Sequence, residues 1–191
     1  MPPVTPALEP LRRIAAYAVA TDPQGRVLLV RASTRSGTPG VWSLPGGAVD
    51  HGEDPNHTVV RETAAETGLS VAVSGLRDVL ADMRSLPHRG VTIHTDRLIY
   101  EVTVRGGNLY DRVGQPTDLA RWHTLAEAEK LRLRPFTAAA LGLSAASTTP
   151  SAPAVKGRSG SFAASSGVSQ RTRSVGWSTR SRSAPPRTRA A

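Results

Sequence analysis

The chain has no cysteine among its 191 residues. That excludes a disulfide framework and any thiolate metal centre, and it suits a reducing compartment. Long apolar runs are missing as well. None approaches the ~20 residues that span a bilayer, so no membrane partner is expected and the cytoplasm is the expected location. Acid is missing from one end only: every Asp and Glu lies at or before Glu129, while residues 145–191 hold eight Lys/Arg. The formal charge of +9 therefore belongs to the tail. Residues 1–144 hold sixteen basic and fifteen acidic side chains, which gives no reason to expect a basic globular surface. Internal repeats are also absent.

What is present divides into three parts. Residues 1–10 carry four prolines and read as an irregular arm. Residues 11–144 have the patterning of one globular domain. From about residue 145, Ser, Thr, Ala, Pro, Gly and Arg dominate, and such a segment buries too little apolar area to offset its ordering entropy. A disordered basic tail is expected there, though the abrupt change also fits a shifted reading frame. Arg12-Arg13 before residues 14–20, with Ala18-Val19-Ala20, resembles a secretory signal. The run is short and late, and cleavage would remove the first strand.

Within the domain, residues 14–21 and 27–30 read as strands joined by the turn Asp22-Pro23-Gln24-Gly25. Residues 32–40 read as a polar loop and 41–44 as a short strand. Further strands are expected at 69–73, 76–82, 91–104 and 119–123, with 83–90 as a loop or hairpin connection. Leu98, Tyr100, Val102 and Val104 should share one face. Short helices are predicted at 125–131 and at 135–143, the latter with Pro135 at its start. Strands with a few helices, without strict alternation, suggest a mixed sheet with helices packed on it.

The densest chemistry lies in residues 46–69, GGAVDHGEDPNHTVVRETAAETGL. Asp54 is a good N-cap, Pro55 suits the first helical position and Gly68 the C′ position, which predicts a helix over 55–67. Val59 with Thr63 and Val60 with Ala64 can turn inward. Glu62 and Glu66, four apart, project side by side and repel. A hard cation such as Mg²⁺, which binds one or two carboxylates together with substrate phosphates, would make a site of that repulsion. Glu53 either supplies a third carboxylate or orients Arg61 through a salt bridge. Gly46-Gly47 lets the backbone pass close to the cluster. The bland alternative is a solvated acidic helix face.

Gly47, five residues, Glu53, seven residues, Arg61-Glu62, Glu66 and Gly68-Leu69 together resemble the signature of the Nudix hydrolases, and Trp42-Ser43-Leu44-Pro45-Gly46 is similar to that family too. The resemblance extends over residues 11–144. It implies an α/β/α sandwich around a mixed β-sheet. It also implies Mg²⁺- or Mn²⁺-dependent hydrolysis of a nucleoside diphosphate linked to another group. By position, Glu62 and Glu66 match metal-binding carboxylates, with Glu62 also matching a proposed general base. Glu53 and Arg61 match a supporting ion pair, and Gly47 and Gly68 match structural glycines. Thr63 stands where the family has an aliphatic residue. Ala65 stands where it has the first Glu of a pair, which removes an anionic ligand.

Arg31, Trp42 and the Gly46-Gly47 backbone are the candidates for the substrate side, since Arg suits phosphate and Trp stacks on a base or fills the core. Arg35, His88 and Arg89 are further cleft candidates. His51 and His57 flank the acidic loop, but hard cations prefer oxygen. Asp111 and Asp118 are candidate loop acids for accepting a proton, or ordinary turn residues. Two other functions compete with the hydrolase: a nucleotide sensor impaired by Ala65, and a nucleic-acid-associated protein recruited by the tail. Monomer and homodimer are both open.

Overall fold

A computed structural model describes residues 8–112 and 114–144; the expectations for residues 1–7 and for the basic tail lie outside these. In chain order the elements are β1 (Glu9–Ala20), β2 (Val27–Ala32), β3 (Trp42–Ser43), β4 (Gly46–Ala48), α1 (Pro55–Thr67), β5 (Leu69–Leu86), a 3-10 turn (Pro87–Arg89), β6 (Val91–Gly107), β7 (Thr117–His123), α2 (Leu125–Ala128) and α3 (Pro135–Ala140). They form a mixed sheet of order β4-β1-β6-β5 and a smaller sheet of order β3-β2-β7. In the first sheet β1 runs parallel to β6, while β4 and β5 are antiparallel to their neighbours. The second sheet is antiparallel throughout.

Strand β1 divides the interior. Side chains alternate across a strand, so Ala15, Tyr17 and Val19 enter one core with Leu29, Leu44, Ile99 and Phe136 of α3. Ala16, Ala18 and Ala20 enter the other, with Leu28, Val59 of α1, Leu69 and Tyr100. Small alanines on β1 let α1 approach closely. Leu98 and Val104 join Tyr100 and Val102 in this second core, as the alternation predicts. Leu28 and Leu29 are both fully buried; truncating either to alanine would cost about 2–5 kcal/mol.

Several boundaries differ from the sequence reading. Strand β1 starts at Glu9, inside the expected arm. The Glu9 amide donates to the Gly90 carbonyl at 2.7 Å, so the next residue's nitrogen faces away from β6. Strand β4 reaches only Ala15–Tyr17, and Pro10 therefore lacks a donor where no strand needs one. Residues 69–86 form one strand rather than two strands and a loop. Register shifts at Ser70/Val71, Val73/Gly75 and Leu76/Asp78 absorb the irregularity that Gly75 signals. The connection to β6 shrinks to Pro87–Arg89, closed by Gly90 at φ 66°. The two late helices are shorter than expected, α3 giving way to Gly142 at φ 67°.

Candidate active site

Helix α1 forms as its caps dictate. The Asp54 side chain accepts from the Asn56 amide, and Gly68 at φ 81° donates to the Ala64 carbonyl. A Cβ at Gly68 would strike the Tyr110 ring and the Asn108 carbonyl, so the stop is glycine for steric as well as conformational reasons. Val59, Thr58, Thr63 and Thr67 face inward. Val60 is half-buried and Ala64 is exposed, so the second inward pair of the sequence reading is only half realised. Thr63 fills an aliphatic position of the signature. It is fully buried and its Oγ1 has no hydrogen-bond partner.

Flanking Val59 on the same inward side, α1 presents Glu62 and Glu66 to strand β4. Gly46 sits at φ 141°, and a Cβ there would overlap the Ala16 carbonyl and lie 2.7 Å from Tyr17 Cα. The Gly46 amide donates to Glu66 Oε2 at 2.9 Å. Gly47 makes room for Glu62: a Cβ there would stand 3.0 Å from the Glu62 carboxyl carbon. The glycine pair is thus the surface against which both carboxylates rest.

Glu53 and Arg61 form an ion pair. Arg61 Nε donates to Glu53 Oε1 and its terminal nitrogen to Oε2, both at 2.8 Å. The Thr58 hydroxyl adds a bond to Oε2 at 2.7 Å and the Asp50 amide another at 3.2 Å. The Arg61 guanidinium, with Thr58 assisting, holds the Glu53 carboxyl down at about 2. The other edge of Arg61 donates to Glu62 Oε1, and Asp50 stands 3.6 Å away. Of the two roles open to Glu53, the structure has the salt bridge. Thr58 and Asp50 were missed because neither belongs to the spaced pattern; Thr58 is distinguishable in the sequence only as a polar residue on the buried face of the helix.

Glu66 behaves differently. Burial pushes its carboxyl up to about 7, with Glu62 adding to the rise, against the opposing pull of the Gly46 amide, Thr117 and Arg112. A buried carboxylate with a second one beside it on the helix is a fitting oxygen donor pair for a hard divalent cation. Among the described residues, no group of three or more His, Cys, Asp or Glu side chains is placed to hold a metal. Ala65 is exposed beside the pair and contributes no donor.

The remaining candidates are dispersed. Arg31 makes a two-point ion pair with Asp118, at 2.9 and 3.0 Å. Asp111 is held the same way by Arg121, at 2.6 and 2.9 Å. Both aspartates are consequently held below the usual carboxylate range by their guanidinium partners. Trp42 packs on the core that holds Phe136, with its ring edge-to-face on His123 at 4.9 Å. His51, His57 and Arg35 are exposed.

The family model of the NUDIX domain matches residues 11–141. An ADP-ribose pyrophosphatase of Methanocaldococcus jannaschii is 33% identical over 120 residues, covering 60% of this chain and 66% of its own. An 8-oxo-dGTP diphosphatase of Proteus vulgaris is 30% identical over 78 residues, covering 41% and 68%. Of several other curated relatives this chain spans 57% of the length or less. Among solved structures, a MutT NUDIX hydrolase from Burkholderia pseudomallei superposes with a TM-score of 0.53 at 26% identity, over 69% of this chain and 96% of that one. A helix capped by Asp54 and Gly68, its two glutamates resting on a glycine strand, is where the matched region concentrates its chemistry, and the chain belongs to the Nudix family of hydrolases.

Proposed function

We propose that the domain is a Mg²⁺- or Mn²⁺-dependent pyrophosphohydrolase that cleaves a nucleoside diphosphate linked to another group. The observation that carries this reading is the Glu62–Glu66 pair set against Gly46-Gly47, with Arg61 held in place by Glu53. Glu62 and Glu66 would hold the cation. When bound, it supplies Lewis-acid polarisation of a phosphoryl oxygen and neutralises charge on the leaving phosphate. The chain's own contribution is positional. The Gly46 amide fixes one oxygen of Glu66, and the Glu53–Arg61 pair fixes Glu62. Water attacks phosphorus, and a carboxylate takes its proton. Asp111 and Asp118 are each tied up in a two-point pair with an arginine, and Glu62 is the candidate for that role by its place in the signature. Arg31 would reach a substrate phosphate only by exchanging its Asp118 contact. Trp42 is better accounted for by packing than by base stacking.

A panel of nucleoside diphosphate derivatives, assayed with Mg²⁺ or Mn²⁺, tests the proposal, with Glu66→Gln expected to abolish turnover. The exposed alanine at 65 favours a second reading, a sensor that binds nucleotides without turnover. Ligands that raise the melting temperature while no substrate is cleaved at any metal concentration would select it. No helix among the described residues is long and apolar enough to cross a membrane, and a cytoplasmic site of action is part of the proposal.

A further inference from the structure

The face of the mixed sheet that meets Phe136 changes character along its length. Strand register sets Arg13 beside Thr95 and Thr95 beside Asp82; two residues further along, Ala15, Arg97 and Leu80 align. Alternation puts Arg13, Arg97 and Arg84 on the face that carries Tyr17. Arg134, the N-cap residue of α3, comes down beside them. Its amide is bound to the Trp42 carbonyl at 2.9 Å and its guanidinium donates to Thr38 Oγ1 at 3.0 Å.

Arg13 donates to Thr95 Oγ1 at 3.2 Å, and one carboxylate on this face, Asp82, is already engaged. Arg97 takes both its oxygens, at 2.7 and 3.1 Å. Arg97 also donates to the Tyr17 hydroxyl at 2.7 Å and lies 4.2 Å from the centre of the Phe136 ring. It is only 8% exposed. Arg134 is half-buried, and burial, with the charges of Arg97, Arg84 and Arg13 added, holds it below the ordinary arginine range against the opposing influence of Tyr17. Arg97 is fixed by packing and Arg134 is half-buried, while Arg13 and Arg84 are exposed on the same face, so that like charges converge and repel there. An oxyanion between them would relieve that repulsion with charge-assisted, forked hydrogen bonds.

One side chain connects this cluster to the carboxylates. The Tyr17 ring lies against Gly46, where a Cβ would stand 2.8 Å from Tyr17 Cδ1. Gly46 in turn binds Glu66, while the Tyr17 hydroxyl binds Arg97. A substrate crossing the β4 edge at Gly46 would reach the arginines with its far end. We propose that Arg13, Arg84 and Arg134, arranged around Arg97 and Tyr17, form an oxyanion subsite. It takes a phosphate or carboxylate carried by the substrate at the end remote from the diphosphate. As a statement about substrate, this rests on the hydrolase reading above; as a statement about anion binding, it does not.

The test uses the full chain in EDTA at constant ionic strength, with inorganic phosphate, acetate and chloride as probes and melting temperature as the readout. Phosphate or acetate should stabilise the protein beyond chloride, and the more effective anion names the group. Arg84→Gln, at an exposed position, and Arg134→Gln should each weaken the apparent affinity roughly tenfold. Arg12→Gln is the control, because Arg12 occupies the opposite face of β1 and pairs with Asp96 at 2.6 Å. It should leave the response unchanged, and any contribution of the tail's arginines is common to all variants. Phosphate and acetate no better than chloride, or Arg84→Gln responding as Arg12→Gln does, would overturn the subsite. An intact anion response with no turnover on any substrate would instead sink the hydrolase reading alone. If both hold, Arg84→Gln should lower kcat/KM for substrates with a remote anionic group and leave those without one unchanged.

Discussion

The Gly46 amide donates to the Glu66 carboxylate at 2.9 Å, tying the acidic helix to an edge strand. The backbone that makes this bond lies so close to β1 that only a residue without a side chain fits there. Gly46→Ala forces a Cβ into the Ala16 carbonyl and Tyr17 at a φ that L-residues rarely adopt. A loss of more than about 2 kcal/mol is expected, read from the denaturation midpoint. Metal affinity should fall in whatever fraction still folds.

Glu66 sets a pH dependence of the metal-free domain. Its carboxyl is raised by burial to about 7, so the folded state keeps a proton that the unfolded chain releases near its ordinary value. Stability should be greatest below the unfolded value, decline as pH rises to about 7 and level off above it. Glu66→Gln removes the decline. In EDTA at pH 8 it should be more stable than the parent by on the order of 2 kcal/mol, and the difference should vanish toward pH 4.5. Parallel stability curves for the two proteins across that range would contradict the burial of the charge.

Glu53 has the opposite sign. The Arg61 guanidinium and the Thr58 hydroxyl hold it down at about 2, so its contribution is complete above the unfolded carboxylate value and is lost as pH falls toward 2. Glu53→Gln should flatten acid unfolding in that window while leaving the slope near neutrality unchanged. Arg61→Lys, which cannot reproduce the two-point contact, should behave similarly.

Thr63 carries a buried hydroxyl without a partner. Thr63→Val keeps the shape and removes the unsatisfied group, and a gain of about 1 kcal/mol in unfolding free energy is expected. An unchanged midpoint in urea would indicate that the hydroxyl finds a partner in solution.

Much of this site was readable from the chain. Asp54, Pro55 and Gly68 bound α1 because caps and stops are local chemistry, and the four-residue spacing of Glu62 and Glu66 fixes their common face on any helix. Pairings across long sequence separations were not readable. Nothing local says that Arg31 meets Asp118 or that Asp111 meets Arg121, and those contacts change what each residue offers. Strand β5 was broken into pieces in the sequence reading because Gly75 and a polar stretch resemble a loop; in the fold, bulges carry the strand through them. Trp42 was ambiguous until its packing against His123 was seen. The gathering of Arg13, Arg84, Arg97 and Arg134 depends on three strands and a helix cap, so no window of sequence contains it.

The central claim is that Glu62 and Glu66 alone supply the carboxylate donors for the cation. Direct Mn²⁺ titration of the full chain, followed by loss of the free-ion paramagnetic resonance signal, tests it for the parent, Glu66→Gln and Ala65→Glu. Glu66→Gln should lose binding by roughly tenfold or more, and Ala65→Glu, adding a third carboxylate beside the pair, should tighten it. Binding unchanged in both variants would contradict it.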